Sequence, residues 1–501
     1  MTSVISCAER RAVPLLVSAL VLALPARAAD PPLAVRRPNI VFVMADDLGW
    51  TDLGCQGSGY YETPAIDRLA AQGVRFTDHH HCQNCTPTRA AILGGQYPAR
   101  TGVYTVGDTD RFDTSMRPLR PVPNLTKLPL DRETIADRLK ASGYATGMFG
   151  KWHIGEQGVY HPSARGFDEA IVSMGRHFGF RTNPETEHPR GEYLADFISD
   201  RAVDFIARHR QKPFFLYVPH FAVHKPLEAK PKLVERFRDK PAVGGHRNAT
   251  YAAMIAAVDQ SVGRIIRALE EHGLTDDTVL IFTSDNGGVG GYAREGLGKS
   301  DDDGQDVTDN SPLRSGKGSL YEGGLRVPLI VRWPGVTPPG TTCNVPTLHV
   351  DFFPTLLEIT AARPPRQRLD GKSLAGLLRD PSSKLERDAI FHHFPGYLGL
   401  GRNVWRTTPV SVVQAGDWKL LEYLEDGRLE LYDLASDVGE TRNRATDEPE
   451  RVAELQRRLS AWRTSVGAAM PESRPANAPG RRSGDRPQQE RPATAGSTPG
   501  R

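Results

Sequence analysis

The sequence predicts an α/β layered domain built on a large, mostly parallel sheet, followed by a smaller antiparallel sheet with one helix. Three observations predict it. Four short apolar runs are nearly continuous rather than alternating, the pattern of strands buried on both faces of a parallel sheet. Stretches of helical character lie between them, giving the strand–helix rhythm of layered α/β folds. Beyond about Arg387 the texture changes to closely spaced β-rich runs with turn residues between them, including Asp426-Gly427, as antiparallel hairpins require.

The four runs are Asn39–Ala45, Tyr144–Gly150, Pro213–Pro219 and Thr278–Ser284. Each gives way to residues that carry chemistry: Asp46-Asp47, then Lys151-Trp152-His153, then His220 and His224, then Asp285-Asn286-Gly287-Gly288. In open parallel sheets ligands bind beyond the carboxyl ends of the strands. Any one of these clusters alone reads equally well as a helix cap, a turn or a solvated loop. Four of them released at the same end make coincidence a poor account. Helices are predicted over Thr63–Gly73, Glu133–Ser142, Tyr193–His209, Thr250–His272 and His349–Ile359, and a further strand over Val327–Pro334. The Gly-rich, charged segment Gly287–Ser315 is long for a loop inside a compact domain, a length associated with function or mobility. It closes on Gly316-Lys317-Gly318, a lysine between glycines where backbone can approach a ligand. The C-terminal region predicts strands at Val410–Gln414, Trp418–Tyr423 and Leu429–Asp433, with a helix over Glu448–Val466 packing on them.

At 501 residues, with 39% hydrophobic and 25% charged residues, the chain has the composition of a soluble globular enzyme. A formal net charge of +3 is too small to point to nucleic acid, and none is expected as a partner. Arg10-Arg11, the apolar run Ala12–Leu24 and the small-residue pattern Ala26-Arg27-Ala28-Ala29 predict a secretory signal peptide, residues 1–29, and hence a secreted or periplasmic protein. That run is short for a bilayer span, and no integral membrane segment is expected after cleavage. Residues 36–386 are assigned to a catalytic domain and 387–468 to an α+β subdomain. Residues 469–501, rich in Pro, Gly, Arg and Ser, are predicted to be a disordered tail. Of five cysteines, Cys7 leaves with the signal; the other four could form one disulfide, with partners that sequence does not name.

The stretch His79–Gly102 focuses the question of function. Thr86 is the predicted N-cap of a short helix, Pro87 suits its first position, Ala90–Leu93 carry it inward, and Gly94-Gly95 stop it. Cys85 and Arg89 therefore share a helix start suited to an anion, and a thiol there is expected to have a lowered pKa. Two other readings stand at this point: a buried structural cysteine beside a surface arginine, and a Cys82-x-x-Cys85 zinc or redox pair. No second Cys pair or close His pair completes a zinc set for the latter.

Taken together, the residues from about Arg37 to Arg444 resemble the type I sulfatases, the formylglycine-dependent branch of the alkaline phosphatase superfamily. Cys85-Thr86-Pro87-Thr88-Arg89 is similar to that family's Cys-x-Pro-x-Arg signature. Asp46-Asp47-Leu48-Gly49-Trp50, Gly150-Lys151-Trp152-His153, Ser284-Asp285-Asn286-Gly287-Gly288 and the Lys317–Gly324 block match its other motifs in the family's order. A lone Cys-x-Pro-x-Arg is weak; five ordered blocks are specific. The resemblance implies an alkaline phosphatase-like sheet and a sulfatase of the arylsulfatase A kind. It implies a nucleophile made when a formylglycine-generating maturation enzyme oxidises Cys85 to Cα-formylglycine. It further implies metal ligation by Asp46, Asp47, Asp285 and Asn286 together with residue 85, a set of hard donors suited to Ca²⁺ ahead of Mg²⁺. Arg89 and Lys151 match the residues that orient the modified side chain, His153 its base, and His224 and Lys317 the pair at the leaving-group oxygen. Departures are small: Thr51 stands where the family usually has Gly, and Thr88 where Ser is commoner.

The expected substrate is a sulfated small molecule or a sulfated glycan, with specificity placed in the loops Gly155–Gly191, Gly287–Ser315 and Phe394–Pro409. Two alternatives differ in class: a phosphodiester or phosphonate monoester hydrolase of the same superfamily, and a catalytically inactive protein that binds sulfated glycans. Asn286 weighs against the first, whose members tend to carry His there, and the filled catalytic positions weigh against the second.

Overall fold

Eight strands build the main sheet of the computed structural model, which describes residues 37–109, 112–297, 307–401 and 404–474; the predicted signal segment and most of the predicted tail lie outside these. In chain order the strands are β1 (Asn39–Ala45), β2 (Val74–Phe76), β3 (Ala145–Gly150), β4 (Glu169–Val172), β5 (Phe214–Pro219), β6 (Thr278–Ser284), β7 (Leu329–Arg332) and β8 (Thr341–Cys343). Their order across the sheet is β8-β2-β7-β6-β1-β5-β3-β4. Every neighbouring pair is parallel except the two made by β7, which runs antiparallel to β6 and β2. The mostly parallel sheet is therefore as expected. The edge strands β4 and β8, and β2 next to β8, went unpredicted because each is only three or four residues long and carries polar residues.

Period-two alternation divides β1 between two cores. Val41, Val43 and Ala45 face helices α1 (Pro64–Gln72), α4 (Leu194–His209) and α5 (Ala249–Glu271). Ile40, Phe42 and Met44 face α2 (Cys85–Gly94), α3 (Ile135–Ala141) and α6 (Phe352–Thr360). Burial on both faces explains the unbroken apolar run that marked this strand in the sequence.

Helix α2 begins two residues earlier than predicted, with Asn84 rather than Thr86 as its N-cap. Thr88 sets that start: its hydroxyl oxygen accepts from the Cys82 N–H (3.0 Å) and donates to the Asn84 carbonyl (3.2 Å). Pro87 then lies at the third helical position, still inside the first turn whose N–H groups have no helical acceptor, so its missing donor is tolerated. Gly95, at φ 67°, closes the helix by donating to the Ala91 carbonyl.

The C-terminal sheet is antiparallel. Strands β9 (Ile390–Phe394), β12 (Val410–Ala415), β13 (Trp418–Tyr423) and β14 (Leu429–Asp433) lie side by side in that order, and the hairpin β10 (Leu398–Gly401) and β11 (Val404–Thr407) projects between β9 and β12 in sequence. Helix α7 (Pro449–Val466) buries Val452, Leu455, Leu459 and Trp462 against Ile390, Val413, Leu420 and Leu431. Ala91 of α2 and Tyr97 belong to the same core, which seats this sheet behind the Cys85 helix. At the start of the segment predicted to be a tail, Glu472–Ser473 pair with Leu119–Arg120 through backbone bonds that need no apolar side chain. Cys55, Cys82, Cys85 and Cys343 are all free thiols.

Candidate active site

Register brings the polar residues together. Ala45 pairs with Ser284 and Met44 with Pro219, so β1, β5 and β6 stop at one level and release their polar residues side by side. Backbone bonds then hold the strand ends: Asp46 N–H to the Ala222 carbonyl (2.9 Å), Asp285 N–H to the Ala45 carbonyl (3.1 Å) and Lys151 N–H to the Pro219 carbonyl (2.7 Å). Asp47 and His153 adopt left-handed backbone at φ 65° and 64°. Such conformations cost non-glycine residues about 1–3 kcal/mol and persist where surrounding structure enforces them, commonly at functional sites. For Asp47 that support comes from its N–H to Asp285 Oδ1 (3.2 Å) and from the Tyr251 hydroxyl on its carbonyl (3.1 Å).

Arg89, on α2, is fully buried. Its Nε and Nη2 donate to Asp285 Oδ2 at 3.0 and 2.7 Å, and its Nη1 to the Lys151 carbonyl at 2.6 Å. Lys151 Nζ donates to Asp46, Lys317 Nζ to the Asp47 carboxylate at 2.7 Å, and Asn286 Nδ2 to Asp47 Oδ1 at 2.8 Å. Three carboxylates and three cations thus meet, all of them buried except Lys317, which is partly exposed, an arrangement that mutual pairing sustains. Burial alone raises the Asp47 carboxyl, but Lys317, His224 and Lys151 outweigh it and hold the group well below the usual carboxylate range. Burial and the adjacent Asp46 charge push Asp285 up to about 6 despite Arg89.

The donor set fits a hard cation. Asp46 Oδ1 and Asn286 Oδ1 are buried acceptors with no hydrogen-bond partner, a costly condition that a metal ion relieves. Ligand atoms of Asp46, Cys85 and Asp285 lie within 4.8 Å of one another. Apart from residue 85 the donors are oxygens, the chemistry of Ca²⁺ or Mg²⁺.

Cys85 is the first residue of α2, and it overturns one expectation. Its thiol pKa is raised, not lowered: complete burial outweighs the pull of Lys151 and Lys317, and Asp46 and Asp285 add to the rise. His153 is held neutral by burial and by the charges of Lys151 and Arg89, and its Nδ1 has no partner. His224 donates from Nδ1 to the Lys225 carbonyl (2.6 Å) and sets Nε2 3.8 Å from Asp47 Oδ2, beside Lys317; burial and Lys317 push its pKa down to about 3. All the predicted site residues therefore converge. His220, which carried no assigned role, is buried against the Ser261 hydroxyl (3.0 Å). Cys82 sits 3.6 Å from His349 Nε2 with its thiol pushed up by burial to about 12, and among the described residues it joins no group of metal-ligating atoms.

Sequence reasoning missed two supports. Asp52 is buried and accepts from Gly49 N–H (2.8 Å), the Tyr251 hydroxyl (2.7 Å) and the Thr308 hydroxyl (2.7 Å), which steadies the turn holding Asp47. His177 donates to the His224 carbonyl (2.8 Å). The first is marked in sequence only as an acid shortly after Asp46-Asp47; the second has no local signal, because its partner is 47 residues away.

A parallel sheet that brings acids, lysines and a Cys-x-Pro-x-Arg helix together at its carboxyl end defines a type I sulfatase of the alkaline phosphatase superfamily. The chain belongs to the sulfatase family: residues 38–362 match Sulfatase, and residues 316–465 match N-sulphoglucosamine sulphohydrolase, C-terminal. It is 34% identical to a sulfatase of Formosa agariphila over 86% of this chain and 89% of that one. It is 32% identical to human N-acetylgalactosamine-6-sulfatase over 68% of this chain and 66% of that one. Among solved structures, Ps i-CgsB in complex with k-i-k-neocarrahexaose superposes with a TM-score of 0.72 at 27% identity, covering 85% of this chain and 92% of that one. The chain is accordingly a sulfuric ester hydrolase. No helix among the described residues is long and apolar enough to cross a membrane.

Proposed function

We propose that this sulfatase hydrolyses sulfate monoesters of carbohydrates through Cα-formylglycine made from Cys85, with a Ca²⁺ ion held by Asp46, Asp47, Asp285, Asn286 and residue 85. The observation that carries the proposal is the setting of Cys85. It is a buried, neutral thiol, a poor nucleophile as it stands, yet it lies among the acids and cations of the site.

Formylglycine supplies a hydrate as nucleophile, one whose return to the aldehyde releases sulfate. Calcium supplies Lewis-acid polarisation of the sulfate oxygens. The chain's own residues do the rest. Arg89, anchored on Asp285 and the Lys151 carbonyl, and Lys151, anchored on Asp46, fix residue 85 and offset the charge of the incoming sulfate. His153, neutral and unpartnered at Nδ1, takes a proton from the residue 85 side chain. His224 keeps its Nδ1 proton on the Lys225 carbonyl. It takes a second proton from solvent at Nε2 when the anionic ester beside it favours the imidazolium, and delivers that proton to the departing alcohol oxygen, while Lys317 Nζ steadies the oxygen as charge develops.

A carbohydrate sulfate is preferred to an aryl sulfate because relatives and neighbours include N-acetylgalactosamine-6-sulfatase and a protein crystallised with an oligosaccharide. The proposal includes export by residues 1–29, a catalytic region over 36–386 and a supporting subdomain over 387–468. The test is turnover by protein co-expressed with a formylglycine-generating enzyme, assayed on sulfated sugars, an aryl sulfate and the matching aryl phosphate. Sulfate release from sugars at the highest kcat/KM is expected. Preference for the phosphate ester would sink the reading.

A further inference from the structure

Arg406, on β11 of the C-terminal hairpin at the edge of the active site, has no hydrogen bond or ion pair among the described residues. It lies over the ring of Tyr292, 4.9 Å from its centroid, and the Tyr292 hydroxyl donates to the Lys317 carbonyl at 2.6 Å. Its stem crosses Gly318, the residue after Lys317: a Cβ there would stand 2.8 Å from Arg406 Cδ, and φ is +92°. Glycine is thus required by the backbone, and its missing Cβ leaves room for the arginine stem. Side chains alternate along β11, so Trp405 turns the other way and packs on Tyr397 at 5.3 Å.

Arg406 is half-buried, and its Nε is shielded from water with no acceptor. Among the described residues it makes no ion pair. Arg314 differs: both oxygens of Glu295 and the Tyr432 hydroxyl hold its guanidinium. A guanidinium positioned by an aromatic ring and a glycine, with its planar fork free, is suited to bidentate recognition of a carboxylate or sulfate.

We propose that Arg406 binds a second anionic group, a carboxylate or a further sulfate, on the leaving-group side of the ester being cleaved, and so selects polyanionic sugars. The proposal rests on the sulfatase reading above. Lys317 meets the oxygen that departs with the alcohol, so a group one sugar position beyond that oxygen falls on the side where Arg406 stands.

The experiment measures kcat/KM of matured wild type, Arg406→Gln and Arg406→Lys on three matched disaccharides. These carry the scissile sulfate alone, with a neighbouring carboxylate, or with a second sulfate. Wild type is expected to prefer one doubly charged substrate over the singly charged one. Arg406→Gln is expected to reduce that ratio about 10- to 100-fold, chiefly through KM, as loss of a charge-assisted pair implies. Arg406→Lys should fall between them. The substrate whose advantage vanishes identifies carboxylate or sulfate. A ratio preserved in Arg406→Gln, or a wild type indifferent to the second charge, overturns the proposal while leaving sulfatase activity standing. A matured wild type that releases no sulfate from any of the three overturns both readings.

Discussion

Asp47 is the residue on which the two halves of the site meet: Lys317, His224 and Asn286 approach its carboxylate, and its backbone is held left-handed by Asp285 and Tyr251. His224 stands on the leaving-group side, and its proposed role has a consequence that depends on the substrate. A general acid matters most when the departing alcohol is a poor leaving group. His224→Ala should therefore lose about 10²- to 10⁴-fold in kcat/KM on an alkyl or sugar sulfate and much less on an activated aryl sulfate. Equal losses on both would remove His224 from the acid role. Arg89 makes a different prediction, on stability. Its replacement by Met leaves the Asp285 carboxylate buried without its strongest partner, and denaturant unfolding should show a loss of about 3–5 kcal/mol. A loss under 1 kcal/mol would mean that Asp285 is satisfied by other groups.

Elements decide how those residues are presented, and they also show where sequence reading stops. The strands that carry the site, β1, β3, β5 and β6, were legible because each is an apolar run of six or seven residues ending in polar ones. The edge strands were not, because three residues such as Thr341–Cys343 carry no periodicity. The start of α2 was misplaced because Thr88, inside the helix, supplies the stop-and-turn chemistry expected of Thr86. The thiol pKa of Cys85 was misjudged for a related reason. A helix start is visible in sequence; complete burial between two carboxylates is not. Contacts across distant segments were equally silent. Glu322, in the block that follows Lys317, is buried and bonds His80 (2.8 Å), Arg326 (2.6 Å) and Lys419 (2.7 Å), and Lys419 also reaches Glu440 (2.8 Å). This charged cluster ties the segment before Cys85 and the Lys317 block to β13 of the C-terminal sheet. Lys419→Met leaves two buried acids short of a cation and should cost about 3–5 kcal/mol of stability, with a smaller loss when Glu440→Gln is added. A double variant no more stable than the single one would show that the cluster does not act as a unit.

The whole molecule buries its histidines to an unusual degree, and that sets its response to acid. His79, His81 and His392 are held well below the normal histidine range by burial, His349 is pushed down to about 3 and His393 to about 4 by the same cause. A histidine with a depressed folded pKa gives no penalty above its unfolded value near 6.5. Below it the unfolded chain takes up the proton first, so stability falls as pH drops, by up to about 1.4 kcal/mol per pH unit for each such group. The thermal midpoint should therefore decline steadily from pH 7 to pH 5, and a midpoint that rises over this interval would contradict the buried, neutral assignment. Metal linkage acts on the same quantity. Calcium bound to the folded chain alone should raise the midpoint in proportion to the logarithm of its concentration, and chelation should lower it along with activity. Cys85→Ala should abolish turnover yet keep the fold, since a buried methyl replaces a thiol that makes no hydrogen bond on which the packing depends.

The central claim is that Cys85 is the precursor of the nucleophile, and the mass of the peptide containing residue 85 tests it most directly. In catalytically active protein, that peptide is predicted to carry an aldehyde in place of the thiol, in a fraction that rises and falls with specific activity across preparations. Full activity in a preparation whose residue 85 is entirely unmodified cysteine would contradict it.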